Sequence, residues 1–95
     1  MTVQYLGNTD ELWVRSFYFI DNDAKYYFVD HSDHWFNWDV GRTTERHIEI
    51  TKEHYGKIPT LELDIDKNQL LSEDEIVVSM LMTQLLHVFN EKFDL

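Results

Sequence analysis

The chain has 95 residues, 43% of them hydrophobic, with one proline, three glycines and no cysteine. This length suits a single domain of residues 1–95, and the composition excludes a disordered chain, a disulfide framework and thiolate chemistry. Eighteen acidic and eight basic residues give a formal net charge of −10 at pH 7. That charge argues against nucleic acid or an anionic membrane as a direct partner, because both require Lys or Arg to displace counterions.

Two further features of the sequence bear on location and partners. Residues 1–5 contain neither the basic region nor the apolar core of a signal peptide. The longest weakly polar run, residues 76–90, is shorter than the roughly 20 residues that span a bilayer. We therefore expect a cytoplasmic protein without a membrane partner. The negative charge is compatible with a basic protein partner, since complementary fields steer association, and it also suits a simple role in solubility.

The first part of the chain predicts a series of antiparallel strands. Residues 2–6 form a strand candidate that ends at a cluster of turn-forming residues. Residues 12–20 and 25–30 are dense in aromatic and β-branched residues, and the short connection between them forces an antiparallel hairpin. Residues 35–40 continue the pattern, because their apolar and polar side chains alternate.

Residues 46–51 are predicted to form the next strand. Thr44 could instead cap a helix here, but Ile48 and Ile50 are two residues apart, and a helix would place them on nearly opposite sides. Residues 60–65 follow as a strand in which leucine and isoleucine face the core and carboxylates face water.

Residues 71–93 predict the only long helix of the chain. Ser72 and Glu75 have the spacing of a capping box, with Ser72 as the N-cap. The apolar residues between Val77 and Phe89 cover about half of the helical wheel, which is wider than the roughly 100° stripe of a surface helix. The fold class is therefore predicted as α+β: an antiparallel sheet of five or six strands in meander-like hairpins, with one long C-terminal helix packed on one face.

The segment Asp30-His31-Ser32-Asp33-His34 places four potential metal ligands within five residues. Histidine and carboxylate ligands suit several divalent ions, including zinc. The segment also has the composition of a polar turn between two aromatic strands. Because no other histidine can be brought to it from the sequence, we predict no metal and no cofactor. A metal-dependent enzyme that uses His31 and His34 is an alternative that ranks third, after the two functions given at the end of this subsection.

A row of carboxylates is the first candidate binding surface. On one face of a strand, Glu62, Asp64 and Asp66 would stand about 6.6 Å apart, and Glu49 would share that face if residues 46–51 pair with residues 60–65. The predicted partner-binding residues are Glu49, Glu62, Asp64, Asp66, Glu73 and Asp74. The alternative is a solvated face with ordinary matching of charge to the helix dipole.

The outer side of the predicted helix is the second candidate surface. Residues 76–90 contain no Lys, Arg, Asp or Glu, although an isolated helix on a sheet would normally turn such residues outward. Ile76, Met80, Thr83 and His87 follow one stripe away from the main apolar face. We predict a self-association or partner surface at Ile76, Met80 and His87, with a homodimer as the possible assembly; the alternative is a helix that loops partly cover.

The sequence contains no Gly-x-Ser-x-Gly element and no glycine-rich phosphate loop. We therefore expect that the protein is not an enzyme. The favoured function is a small acidic inhibitor that docks on the basic, nucleic-acid-binding surface of a partner such as a nucleic-acid-processing enzyme. An immunity protein, an antitoxin or a phage counter-defence protein that mimics nucleic acid would fit this description. The alternative function is a homo-oligomeric structural or assembly subunit that associates through the C-terminal helix.

Overall fold

The computed structural model describes residues 1–7, 15–31, 34–38 and 42–95. These residues divide into two compact units, Met1–Leu63 and Asp64–Leu95. The first unit contains an antiparallel sheet and one long helix, and the second contains a short and a long helix. The chain is therefore α+β, as predicted. The single domain and the packing of the C-terminal helix on the sheet stay predictions.

Four strands of at least five residues form most of the sheet: β1 (Thr2–Gly7), β2 (Arg15–Asp21), β3 (Ala24–His31) and β4 (His34–Trp38). A three-residue strand, β5 (Thr60–Glu62), pairs with β1 at the edge, and the order is β4-β3-β2-β1-β5 with all neighbours antiparallel. The consecutive hairpins confirm the predicted meander. Four full strands and one short edge strand are fewer full strands than the predicted five or six.

The β2–β3 hairpin shows why the aromatic segments form strands. Its turn is Asn22-Asp23, and Asn22 has φ 50°, in the left-handed region that asparagine tolerates better than most residues. The register places Phe17 opposite Phe28 and Tyr18 opposite Tyr27. Both faces of the hairpin therefore carry aromatic side chains, and these four side chains are buried.

Residues 46–51 are helical, so the strand prediction for this segment is wrong. They lie within α1 (Arg42–Tyr55). The middle of the buried face of α1 consists of the polar residues Thr44, His47 and Thr51, while Ile50 is buried and Ile48 half-buried. Ile48 and Ile50 lie at the two edges of that face, about 160° apart on the wheel. Because polar residues occupy the centre, the apolar pattern resembles a strand.

The helix α1 contacts β1 at an irregularity of the sheet. The register of β1 against β2 shifts between Tyr5 and Gly7, so Leu6 lies in a β-bulge. The buried hydroxyl of Thr51 donates a hydrogen bond to the Leu6 carbonyl. A hydrophobic cluster lies at this level, formed by Leu6, Tyr18, Tyr27 and Val29 with Ile20, Ile48 and Ile58 packed against it. The bulge and the hydroxyl thus fix α1 to the sheet.

The second unit contains α2 (Lys67–Leu70) and α3 (Glu75–Phe93). Helix α3 begins at Glu75, four residues later than predicted, and it is not the only long helix, because α1 has 14 residues. Its N-cap is Asp74 and not Ser72. The predicted apolar face is confirmed, since the following residues of α3 are buried: Val78, Leu81, Met82, Leu85 and Phe89.

Candidate functional site

Exposed charge and exposed apolar surface are concentrated in the second unit. Residues 64–95 contain seven carboxylate residues and two lysines, a net charge of −5 in 32 residues. All the exposed large hydrophobic residues of the described chain are in the same unit: Leu71, Ile76, Met80 and Leu95. A surface that combines both features is typical of a protein interface, with an apolar centre and a polar rim.

The segment from Asp64 to the first residue of α3 carries most of this charge. Its five carboxylate residues are all exposed, and Lys67 is the only basic residue among them. The five are Asp64, Asp66, Glu73, Asp74 and Glu75. Exposed negative charges within twelve residues make the local electrostatic potential more negative, and this potential attracts a cationic partner.

Hydrogen bonds to the backbone hold two of these carboxylates in place. Asp66 is the N-cap of α2 and accepts a hydrogen bond of 2.9 Å from the backbone N–H of Asn68. Asp74 is the N-cap of α3 and accepts one of 2.9 Å from the N–H of Ile76. The N–H of Asp74 in turn donates to the Ser72 hydroxyl at 3.1 Å. Ser72 therefore shapes the turn before α3, and the aspartates supply the caps.

The predicted row of Glu62, Asp64 and Asp66 along one strand face does not form. Strand β5 ends at Glu62, and Asp64 and Asp66 lie beyond it in irregular structure, so the strand spacing of about 6.6 Å does not apply to them. Glu62 itself accepts a hydrogen bond from the Thr2 hydroxyl. Its carboxylate also lies 3.9 Å from the amino group of Met1. Part of the charge of Glu62 is thus engaged within the first unit.

Glu49 lies on α1 and not on a strand, so it does not share a sheet face with Glu62. It is exposed, as are Glu45 and Glu53, which lie four residues before and after it along the helix. Exposed Arg46 and Lys52 are interleaved with these glutamates. This row was not predicted from the sequence, although the four-residue spacing of glutamates between residues 45 and 53 is a signal for it.

The outer side of α3 exposes the predicted self-association residues. Ile76 is 71% exposed and Met80 59% exposed. The side chain of His87, 74% exposed, forms a contact of 3.1 Å with Glu91 one turn later. The hydroxyl of Thr83, between Met80 and His87, donates to the Ser79 carbonyl at 2.9 Å. The structure brings Ile76, Met80 and His87 onto one stripe of α3, and self-association through them stays a prediction.

The metal prediction concerned residues 30–34. Ser32 and Asp33 lie outside the described residues, as do the side chains of Asp30, His31 and His34. Within the described part of the chain, no group of three or more His, Asp or Glu residues has a geometry that could hold a metal ion.

Four polar side chains of α1 and of the sheet are buried. Ser16 and Tyr27 are 0% exposed, Thr44 2% and His47 9%. The ring of Tyr27 packs edge-on against that of His47 at 5.3 Å between centroids. Burial raises the pKa of the Tyr27 hydroxyl, and the neighbouring Ser16 side chain partly offsets the increase. At these exposures the groups are closed to a substrate, so we interpret them as a polar part of the core.

Comparisons with protein-family models, with curated protein sequences and with solved structures find no match to this chain. Among the described residues, no helix has the length and apolar character needed to cross a membrane.

Proposed function

We propose that this protein is a small acidic binding protein that inhibits a partner protein by docking on a basic, nucleic-acid-binding surface of that partner. The observation that carries this proposal is the exposed carboxylate segment Asp64–Glu75, within a unit of net charge −5. A fixed arrangement of carboxylates can replace the phosphates that such a surface ordinarily binds, because both are anionic acceptors for Lys and Arg.

The six predicted partner-binding residues have different roles in this proposal. Asp64, Asp66, Glu73 and Asp74 supply the principal contacts, since all four belong to the acidic segment of the second unit. Glu49 and Glu62 contribute to the overall field, because Glu49 lies among basic residues on α1 and Glu62 contacts Thr2 and the Met1 amino group. Electrostatic steering depends on the summed charge, so these two still favour a basic partner.

The test is a pull-down from native host extract with mass spectrometry of the retained proteins. Three baits are compared: the wild type, an acidic-segment variant with Asp64→Asn, Glu73→Gln and Asp74→Asn, and a control with Asp23→Asn, Glu45→Gln and Glu53→Gln. Asparagine at position 74 preserves the N-cap, and the control removes the same charge from exposed positions of the first unit.

The proposal predicts that a basic nucleic-acid enzyme is retained by the wild type and the control and lost from the acidic-segment variant. Equal retention by all three baits would show that the acidic segment does not bind the partner. Recovery of this chain alone, or of components of a particle, would favour a structural subunit.

The structural or assembly subunit is the second candidate, and the exposure of Ile76 and Met80 on α3 favours it. Sedimentation of the purified protein separates the two candidates. A binding protein is expected to be monomeric at micromolar concentration before it meets its partner. A dimer that Met80→Glu dissociates would establish the subunit, because that change places charge in an isologous contact.

A further inference from the structure

The outer stripe of α3 has a defined shape. Ile76, Met80, Thr83 and His87 are spaced by four, three and four residues and are all exposed. At 3.6 residues per turn they fall within about 60° of the helix circumference and extend over about 16 Å of its length. This is the pattern of anchor positions by which one helix contacts another.

The charges at the two ends of the stripe have the same sign. Glu73, Asp74 and Glu75 lie at its start, and Glu91 and Asp94 lie beyond His87; all are exposed. Lys92 is the only cation of α3, and it lies about 160° from Ile76, on the opposite side of the helix. The stripe is therefore an uncharged strip between two groups of carboxylates.

This distribution of charge disfavours a second copy of the chain as the occupant. In an antiparallel pair, the carboxylates at the start of one α3 would meet Glu91 and Asp94 of the other. In a parallel pair, each acidic end of one α3 would lie beside the same acidic end of the other. Like charges brought together across an interface oppose association.

We propose that the stripe binds a cationic amphipathic helix of the partner protein. Apolar side chains of that helix contact Ile76 and Met80, and Lys or Arg side chains on either side meet the carboxylates at both ends of α3. This inference rests on the proposed function, because it names the part of the basic partner that docks here. The carboxylates steer the encounter, and the apolar contacts slow dissociation.

The test uses two synthetic 18-residue peptides made of leucine and lysine. In the first, leucines have helical anchor spacing; the second has the same composition in an order without that spacing. Their affinities for the full chain are measured by fluorescence anisotropy. The stripe variant carries Ile76→Ser and Met80→Ser. Its matched control carries Leu71→Ser and Leu95→Ser, the exposed large hydrophobic residues outside the stripe.

The wild type is expected to bind the amphipathic peptide at least about tenfold more tightly than the reordered peptide. The stripe variant should lose about tenfold in affinity, on the scale of burying two apolar side chains in part, and the control should stay within about twofold. Glu91→Gln with Asp94→Asn should weaken binding at low salt more than Glu45→Gln with Glu53→Gln, which removes equal charge from α1.

Three outcomes would overturn the inference. If both peptides bind equally, or if the stripe variant binds as the wild type does while the acidic-segment variant binds weakly, only charge is at work and the proposed function stands without the stripe. If the acidic-segment variant also binds as the wild type does, the proposed function fails as well. If sedimentation shows a dimer that the stripe variant dissociates, the occupant is a second copy.

Discussion

Thr51 shows how one polar side chain can fix a helix to a sheet. It is 0% exposed, and its hydroxyl donates to the Leu6 carbonyl at the bulge of β1. Thr51→Val preserves the shape of the side chain but leaves that carbonyl without its donor. Removing one partner of a buried hydrogen bond costs about 1–3 kcal/mol, so urea unfolding should show a loss of that size.

Thr60→Val is the matched control for this prediction. The Thr60 hydroxyl also donates to a backbone carbonyl, that of Ile58 at 2.9 Å, but Thr60 is exposed and water can replace the bond. Its cost should stay within about 0.5 kcal/mol. Equal effects of the two substitutions would contradict the role that we assign to Thr51.

Tyr27 links a buried hydroxyl to the dependence of stability on pH. Burial raises its pKa in the folded state above the value of about 10 expected for the unfolded chain. Folding favours the neutral hydroxyl. Its contribution to the stability of the folded state is therefore complete below pH 10 and is lost as pH rises above that value. Tyr27→Phe removes the ionisable group.

Urea unfolding of the wild type and of Tyr27→Phe between pH 8 and pH 11 checks this prediction. The wild type should lose stability more steeply above pH 10, with a difference in slope of up to about 1.4 kcal/mol per pH unit. Parallel losses in the two proteins would show that Tyr27 does not contribute to alkaline unfolding.

At the scale of elements, α3 is the part that the sequence predicts best. The apolar residues between Val77 and Phe89 have helical spacing, which places their side chains on one side of the helix. That side is therefore the one that is buried. The exact start was missed because both Ser72 and Asp74 can act as N-caps. Asp74 takes this role, and the Ser72 hydroxyl accepts a hydrogen bond from its N–H.

Leu85 tests the buried face of α3. It is 4% exposed, so Leu85→Ala should destabilise the protein by about 2–5 kcal/mol as a large-to-small change in the core. Met80→Ala provides the control on the same helix, since Met80 is 59% exposed and should cost less than about 0.5 kcal/mol. A loss below 0.5 kcal/mol for Leu85→Ala would contradict the burial of this face.

Helix α1 and strand β5 show where the sequence pattern misleads. The buried face of α1 is centred on Thr44, His47 and Thr51, so a search for apolar periodicity finds only two isoleucines with strand-like spacing. The alternation of residues 60–66 continues past Leu63, although backbone pairing ends there with the two hydrogen bonds between Leu63 and Met1. Apolar periodicity indicates which side chains favour the core, but strand pairing also requires a neighbouring strand of sufficient length.

These two corrections change the candidate site. The carboxylates of residues 62–66 are not a regular row, and Glu49 belongs to a helical row with Glu45 and Glu53. What the sequence did predict is the concentration of acidic residues up to Glu75 and the absence of charged residues from 76 to 90. Both are properties of composition, which do not depend on whether a given segment is a strand or a helix.

At the scale of the whole molecule, charge and apolar exposure are unevenly distributed. The second unit has a net charge of −5 in 32 residues and contains all the exposed large hydrophobic residues among those that the structure describes. A role in solubility alone would require only net charge, with no preferred position. The binding proposal instead requires that the position of the charge matters, and that difference can be measured.

The most direct measurement is the rate of association with the retained partner as a function of salt concentration. Steering by opposite charge acts mainly on the association rate and is screened within about 8 Å at physiological ionic strength. The acidic-segment variant, with Asp64→Asn, Glu73→Gln and Asp74→Asn, is expected to associate roughly one to two decades more slowly than wild type at low salt, with the difference shrinking as salt rises. The control with Asp23→Asn, Glu45→Gln and Glu53→Gln should change the rate much less. Equal rates for the two variants would contradict the account, because the acidic segment would then have no role beyond its share of the net charge.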